Sequence, residues 1–184
     1  MKRSLFIDEE KKVLLFVGRL GKEKNTLELL QFLNKINNHK YYFIIAGDGP
    51  EKNKLEEFSK NSRMDYVRFP GFIPNEKINI YYQMADIFLS ASTSETQGLT
   101  YVEALFNGLP ILCRDDTCLR GPVVQHKTGY RYSSFDEFKN KLNNMLDNDN
   151  NMERMSKICK IHAKENYSST AFANNILDVY KEYV

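Results

Sequence analysis

The chain has 184 residues, of which 42% are hydrophobic, 12% aromatic and 27% charged, the make-up of one globular domain that buries a core and not of a disordered or fibrous chain. Lys and Arg total 26 against 24 Asp and Glu, and a net charge of +2 is too small to argue for nucleic acid or an anionic membrane, so any phosphate recognition has to be local. Apolar runs such as 13–17 fall far short of the roughly 20 residues a membrane-spanning helix needs, and the start, Met-Lys-Arg-Ser-Leu-Phe, meets Asp8, Glu9 and Glu10 without the apolar stretch of a secretory signal.

Short β-branched or aromatic runs alternate with amphipathic stretches. The pattern predicts strands at 13–17, 42–46, 66–69, 87–91 and 110–113, and helices at 25–36, 51–61, 75–84 and 99–107. Strands that read as continuous apolar runs are covered on both faces, so the predicted fold is α/β, a doubly wound parallel sheet of Rossmann-like type. From about residue 134 only helices are expected, near 135–147, 151–165 and 169–182, forming a helical C-terminal tail packed on the sheet core of about 11–133. No repeat or Pro/Ser-rich linker marks a second domain, so 1–184 is taken as one unit. The cysteines Cys113, Cys118 and Cys159 are odd in number and lack metal-ligand spacing; they read as reduced structural fillers in a cytoplasmic protein.

In open α/β sheets ligands bind beyond the carboxyl ends of the strands, which directs attention to the turns there. After the first strand, Gly18-Arg19-Leu20-Gly21-Lys22-Glu23-Lys24 offers close backbone approach and two cations, Arg19 and Lys24, that could converge on a diphosphate or stand as solvated charges. Gly47-Asp48-Gly49-Pro50 reads first as a tight strand-to-helix connection. In Gly71-Phe72-Ile73-Pro74 the apolar pair could flank a flat base or staple the next helix.

The richest turn is Ser92 to Ala104. A glycine-containing loop that opens a helix presents free amides and the positive dipole end to an anion, and Glu95 and Glu103 could both face that crevice and accept from sugar and ribose hydroxyls. Against this, Thr100-Tyr101-Val102-Glu103 fits a capping box in which Glu103 serves only the helix end. Asp147-Asn148-Asp149 matches an Asp-x-Asp metal pattern, but it lies in an Asn-rich helix junction and is discounted. His39, His126 and His162 are widely spaced and suggest no triad.

Together these loops resemble the C-terminal, donor-binding domain of family-4 retaining glycosyltransferases of the two-domain GT-B fold. The family's Glu, seven residues, Glu spacing is present as Glu95 to Glu103, flanked by Ala85-Asp86-Ile87-Phe88 and Asn107-Gly108-Leu109-Pro110, with Lys127-Thr128-Gly129 further on. The resemblance spans about residues 11–165. It implies that Arg19 and Lys24 neutralise the donor diphosphate, that Glu95 contacts the donor sugar, and that Gly18 and the Gln97, Gly98, Leu99 and Thr100 segment hold sugar or phosphate. It further implies that Glu103 binds ribose hydroxyls and that Phe72 and Ile73 border the base.

The implied substrate is a nucleotide diphosphate sugar, most commonly a UDP-sugar, with no metal or other cofactor required. The acceptor site would lie in an N-terminal domain absent from this chain, leaving the fragment inactive by itself. The 90–100 segment further resembles bacterial glucosyltransferases acting on diacylglycerol, which implies a lipid acceptor and peripheral attachment of the full-length enzyme at the inner face of the membrane; polysaccharide synthesis is the other acceptor class. No nucleic-acid partner is implied. A sugar-nucleotide epimerase of the same fold and a non-catalytic nucleotide-binding module are the alternatives.

Overall fold

The computed structural model describes residues 7–8, 10–37, 40–95 and 98–182. In chain order these form β1 (Lys12–Val17), α1 (Thr26–Ile36), β2 (Tyr41–Ala46), α2 (Lys52–Asn61), β3 (Val67–Gly71), α3 (Asn75–Met84) and β4 (Ile87–Ser90). There follow α4 (Leu99–Phe106), β5 (Ile111–Arg114), β6 (Gly129–Tyr132), α5 (Phe135–Asp147), α6 (Asp149–Tyr167) and α7 (Ser169–Glu182), with 3-10 turns at Lys22–Lys24 and Thr117–Leu119.

The six strands make one parallel sheet in the order β3-β2-β1-β4-β5-β6. The chain winds outward from β1 in one direction and, after crossing to β4, outward in the other, so the order reverses between β1 and β4. Alternate residues of β1 serve opposite faces. Leu14 and Phe16 join Leu29, Leu30 and Leu33 of α1 and Phe138 and Leu142 of α5, while Val13 and Leu15 join Tyr82 of α3, Ala104 and Leu105 of α4 and Cys159 and Ala163 of α6. Each such fully buried leucine contributes roughly 1.5–3 kcal/mol of apolar transfer energy, and β1, covered on both faces, is the centre of the core.

The structure departs from the sequence expectations in four respects. A sixth strand, β6, extends the sheet in a stretch to which the sequence pattern assigns no element; it pairs with β5 from Ile111↔Gly129 to Arg114↔Tyr132. The tail does not pack as one unit: α5 and α6 bury Phe138, Met145, Met155 and Cys159, whereas none of the described side chains of α7 is buried, and Phe172 and Tyr180 are 66% and 67% exposed. Cys118 is exposed, so only Cys113 and Cys159 are buried fillers. Finally, α4 is capped by Gly98 in the left-handed conformation, φ 60°, without a side-chain cap, so the capping-box reading of Glu103 does not hold.

The Asp-x-Asp residues are committed to structure. Asp147 pairs with Lys40 at 2.8 Å and Asp149 with Lys12 at 2.7 Å, while Asn148 caps α6 by accepting from the Asn151 amide. His162 hydrogen-bonds the Gly121 carbonyl at 2.9 Å and His126 is exposed in the left-handed region, φ 62°; His39 lies outside the described residues. Among the described residues no helix is long and apolar enough to cross a membrane.

Candidate functional site

The turns that leave the carboxyl ends of β1, β2 and β3 are laced together past the strands. Gly18 donates to the Ala46 carbonyl at 3.1 Å, Leu20 to that of Asp48 at 2.8 Å and Gly47 to that of Gly71 at 2.9 Å. Gly47 is there because of close approach: a Cβ on it would collide with the carbonyl oxygen of Gly18. The tight-connection reading of 47–50 is correct, and it has a consequence beyond the turn, because these crossed backbones form the floor of a trough.

The trough opens above the point where the strand order reverses, as expected for a doubly wound sheet, and has two lobes that share Val17, Gly18, Arg19, Leu99 and Thr100. The first lobe, about 240 Å³, is lined by Lys24, Ser90, Glu95 and Gly98. The second, about 510 Å³, is lined by Asp48, Phe72, Ile73, Asn75 and Glu103.

In the first lobe the Lys24 ammonium donates to Glu95 Oε1 at 2.8 Å, and the Glu95 side chain is only 8% exposed. The 3-10 turn that carries Lys24 is fastened to the Glu95 loop by the Thr93 amide, which donates to the Glu23 carbonyl at 2.9 Å. Arg19 is exposed at the seam of the two lobes, with no side-chain partner among the described residues. The left-handed Gly98 starts α4, and the amides of Leu99 and Thr100, which precede its first intrahelical bonds, have no backbone acceptor among the described residues and lie at the positive end of the helix. Tyr101 holds that turn to the sheet by donating to Ser90 Oγ at 2.7 Å. Arg19, Lys24 and these amides can together hold an anion with more than one charge.

The second lobe has a different chemistry. Phe72, 72% exposed, stands at its lip. Ile73 and Ile78 line the wall and pack against the same apolar cluster. Two carboxylates border this apolar surface. The Gly49 amide and Lys52 hold the Asp48 carboxyl below its usual range, and Glu103 accepts from the Tyr82 hydroxyl at 2.8 Å. A flat apolar group with hydroxyls at one edge suits such a surface.

The structure therefore brings together Gly18, Arg19, Lys24, Phe72, Ile73, Glu95, Gly98, Leu99, Thr100 and Glu103 along one trough. Gln97 lies outside the described residues. Glu95 and Glu103 line the same trough but stand in different lobes of it. Sequence reasoning missed Asp48, Asn75, Ser90 and Tyr82 as lining residues; for the first three the signal was their place in the turn after a strand, at a helix start and at a strand end, respectively, while Tyr82 carried no local signal. Among the described residues no group of three or more His, Cys, Asp or Glu side chains is arranged to hold a metal ion.

Comparison with known proteins agrees with this geometry. The family model for glycosyl transferases group 1 matches residues 1–181. The chain is 34% identical to the alpha-monoglucosyldiacylglycerol synthase of Acholeplasma laidlawii over 100% of its own length and 47% of that protein. It is 36% identical to the synthase of the same name from Streptococcus pneumoniae over 72% of its length and 31% of that protein, so it spans about half or less of these relatives. The solved structure of the pneumococcal O-GlcNAc transferase GtfA in complex with UDP and GlcNAc superposes with a TM-score of 0.77 at 25% identity, over 94% of this chain and 36% of that one. A trough at the reversal of a doubly wound sheet, the Glu95 to Glu103 spacing across it and a family match over almost every residue lead to one assignment: this chain belongs to the group 1 glycosyl transferases and has the fold of a GT-B half.

Proposed function

We propose that the chain is the donor-binding half of a retaining glycosyltransferase that uses a nucleotide diphosphate sugar, a UDP-sugar, to transfer a hexose to a lipid or saccharide acceptor. The observation that carries this reading is the division of the trough. A cationic lobe with free helix amides adjoins an apolar lobe edged by carboxylates, the order of groups found along sugar, diphosphate, ribose and base.

In this reading Arg19 and Lys24 neutralise the diphosphate and stabilise the negative charge that grows on it as the glycosidic bond to phosphate breaks. Because the cations and the α4 amides supply that stabilisation, the proposed reaction uses no metal. Glu95 accepts from a sugar hydroxyl and orients the anomeric carbon, Glu103 accepts from the ribose, and Phe72 and Ile73 flank the base. The relatives named for monoglucosyldiacylglycerol support a glucosyl donor and a diacylglycerol-type acceptor, with the reaction in the cytoplasm at the inner face of the membrane. The acceptor is held by a separate N-terminal half, so the chain by itself binds donor and transfers little; 1–184 forms the donor domain, core and helical tail together.

Calorimetric titration with the diphosphates of uridine, guanosine and adenosine and their glucose conjugates tests this, beside Arg19→Ala and Glu103→Ala. We expect selective binding of the uridine compounds, weakened about tenfold or more in each variant. A folded chain that ignores all of them, or variants that bind as the wild type does, would sink the proposal.

A further inference from the structure

Glu103 borders the second lobe and is itself exposed, and an unrestrained exposed glutamate samples many rotamers. It is nevertheless tethered. Tyr82, completely buried on α3 with its ring 6.2 Å from that of Phe88, donates its hydroxyl to Glu103 Oε2 at 2.8 Å and lies 3.4 Å from the Thr100 carbonyl. Burial, and then the neighbouring carboxylate, push the Tyr82 hydroxyl far above its ordinary range, so it stays a donor at all physiological pH. With Oε2 occupied, Oε1 has no partner among the described residues.

We infer that Tyr82 is a positioning residue, which holds Glu103 so that its free Oε1 is presented to the ribose hydroxyls of the nucleotide and thereby makes the site selective for ribonucleotides. The inference rests on the donor-domain reading above. An unanchored carboxylate would lose rotamer freedom on binding, whereas one fixed by a rigid buried hydroxyl has lost it on folding. The tether also joins α3, which lines the apolar wall, to the first turn of α4, which carries the anion-binding amides, so both lobes are set by one contact.

The test compares UDP with 2′,3′-dideoxy-UDP, which lacks both ribose hydroxyls, by calorimetry on the chain and its Tyr82→Phe, Glu103→Asp and Glu103→Ala variants. Tyr82→Phe is expected to weaken UDP about tenfold while leaving the dideoxy compound unchanged. Glu103→Asp keeps the charge but withdraws it from the tyrosine, and shows the same selective loss without depending on the core substitution. If both variants weaken the two ligands equally or keep the wild-type ratio while Glu103→Ala collapses it, Tyr82 is merely structural and the inference is overturned, with the donor-domain reading intact. If Glu103→Ala also keeps the ratio, or the folded wild type binds neither compound, that reading fails and the inference with it.

Discussion

At the scale of single residues, the site depends on atoms that have no side chain to announce them. Gly47 looks in the sequence like any turn glycine, yet its missing Cβ is what lets the β2 turn cross the Gly18 carbonyl. Gly47→Ala therefore has to push the two turns apart, at a cost of about 2 kcal/mol or more; a thermal melt should show the destabilisation and calorimetry the loss of nucleotide binding. A melt equal to that of the wild type would mean the crossing is looser than described. Arg19, Lys24, Glu95 and Glu103 were legible because charged residues after strand ends are conspicuous. Tyr82 was not, because its apolar surroundings make it look like core, and its partner is 21 positions away on another helix. Only the folded chain brings a buried hydroxyl and an exposed carboxylate together.

At the scale of elements, periodicity located the long helices and the buried strands within a residue or two, since each repeats its pattern over several turns or pleats. It failed for β6, whose Gly129-Tyr130-Arg131-Tyr132 is too short to show alternation and begins with a glycine; the strand exists because the edge of β5 pairs with it. Nor does periodicity tell how α4 starts, at a left-handed glycine with no side-chain cap and not at the capping box that Thr100 and Glu103 would allow. The last helix poses a separate problem. With 14 residues and none buried among those described, α7 has little beyond its own backbone bonds to hold it, and isolated helices below about 12–15 residues are marginal in water. Hydrogen exchange should find its amides protected at least about a hundredfold less than those of α1, whose leucines are fully buried. Equal protection would require a covering surface for Phe172, Ile176 and Tyr180.

At the scale of the whole molecule, strand order could not be read from the sequence, because the βα alternation is the same for many windings; the reversal between β1 and β4 emerges from which strand each crossover selects. The two-sided core has its own signature in pH. Burial pushes the Cys159 thiol from 9.0 up to about 12, and burial raises Tyr41 and Cys113 as well. Between pH 9 and 12 the unfolded chain gives up the Cys159 proton that the folded chain keeps, so this contribution is complete below 9 and is lost as pH rises toward 12. Urea midpoints should fall steadily through that window, and a flat profile would contradict the burial. The ion pair between Lys24 and Glu95 has a consequence for which anions the trough admits. An incoming anion does not meet a bare ammonium but has to win it from a carboxylate at 2.8 Å, giving up one attraction for another. A small monoanion gains little by that exchange, whereas a ligand that brings several charges and reaches Arg19 and the α4 amides at once gains much more, so the pair acts as a threshold against simple anions.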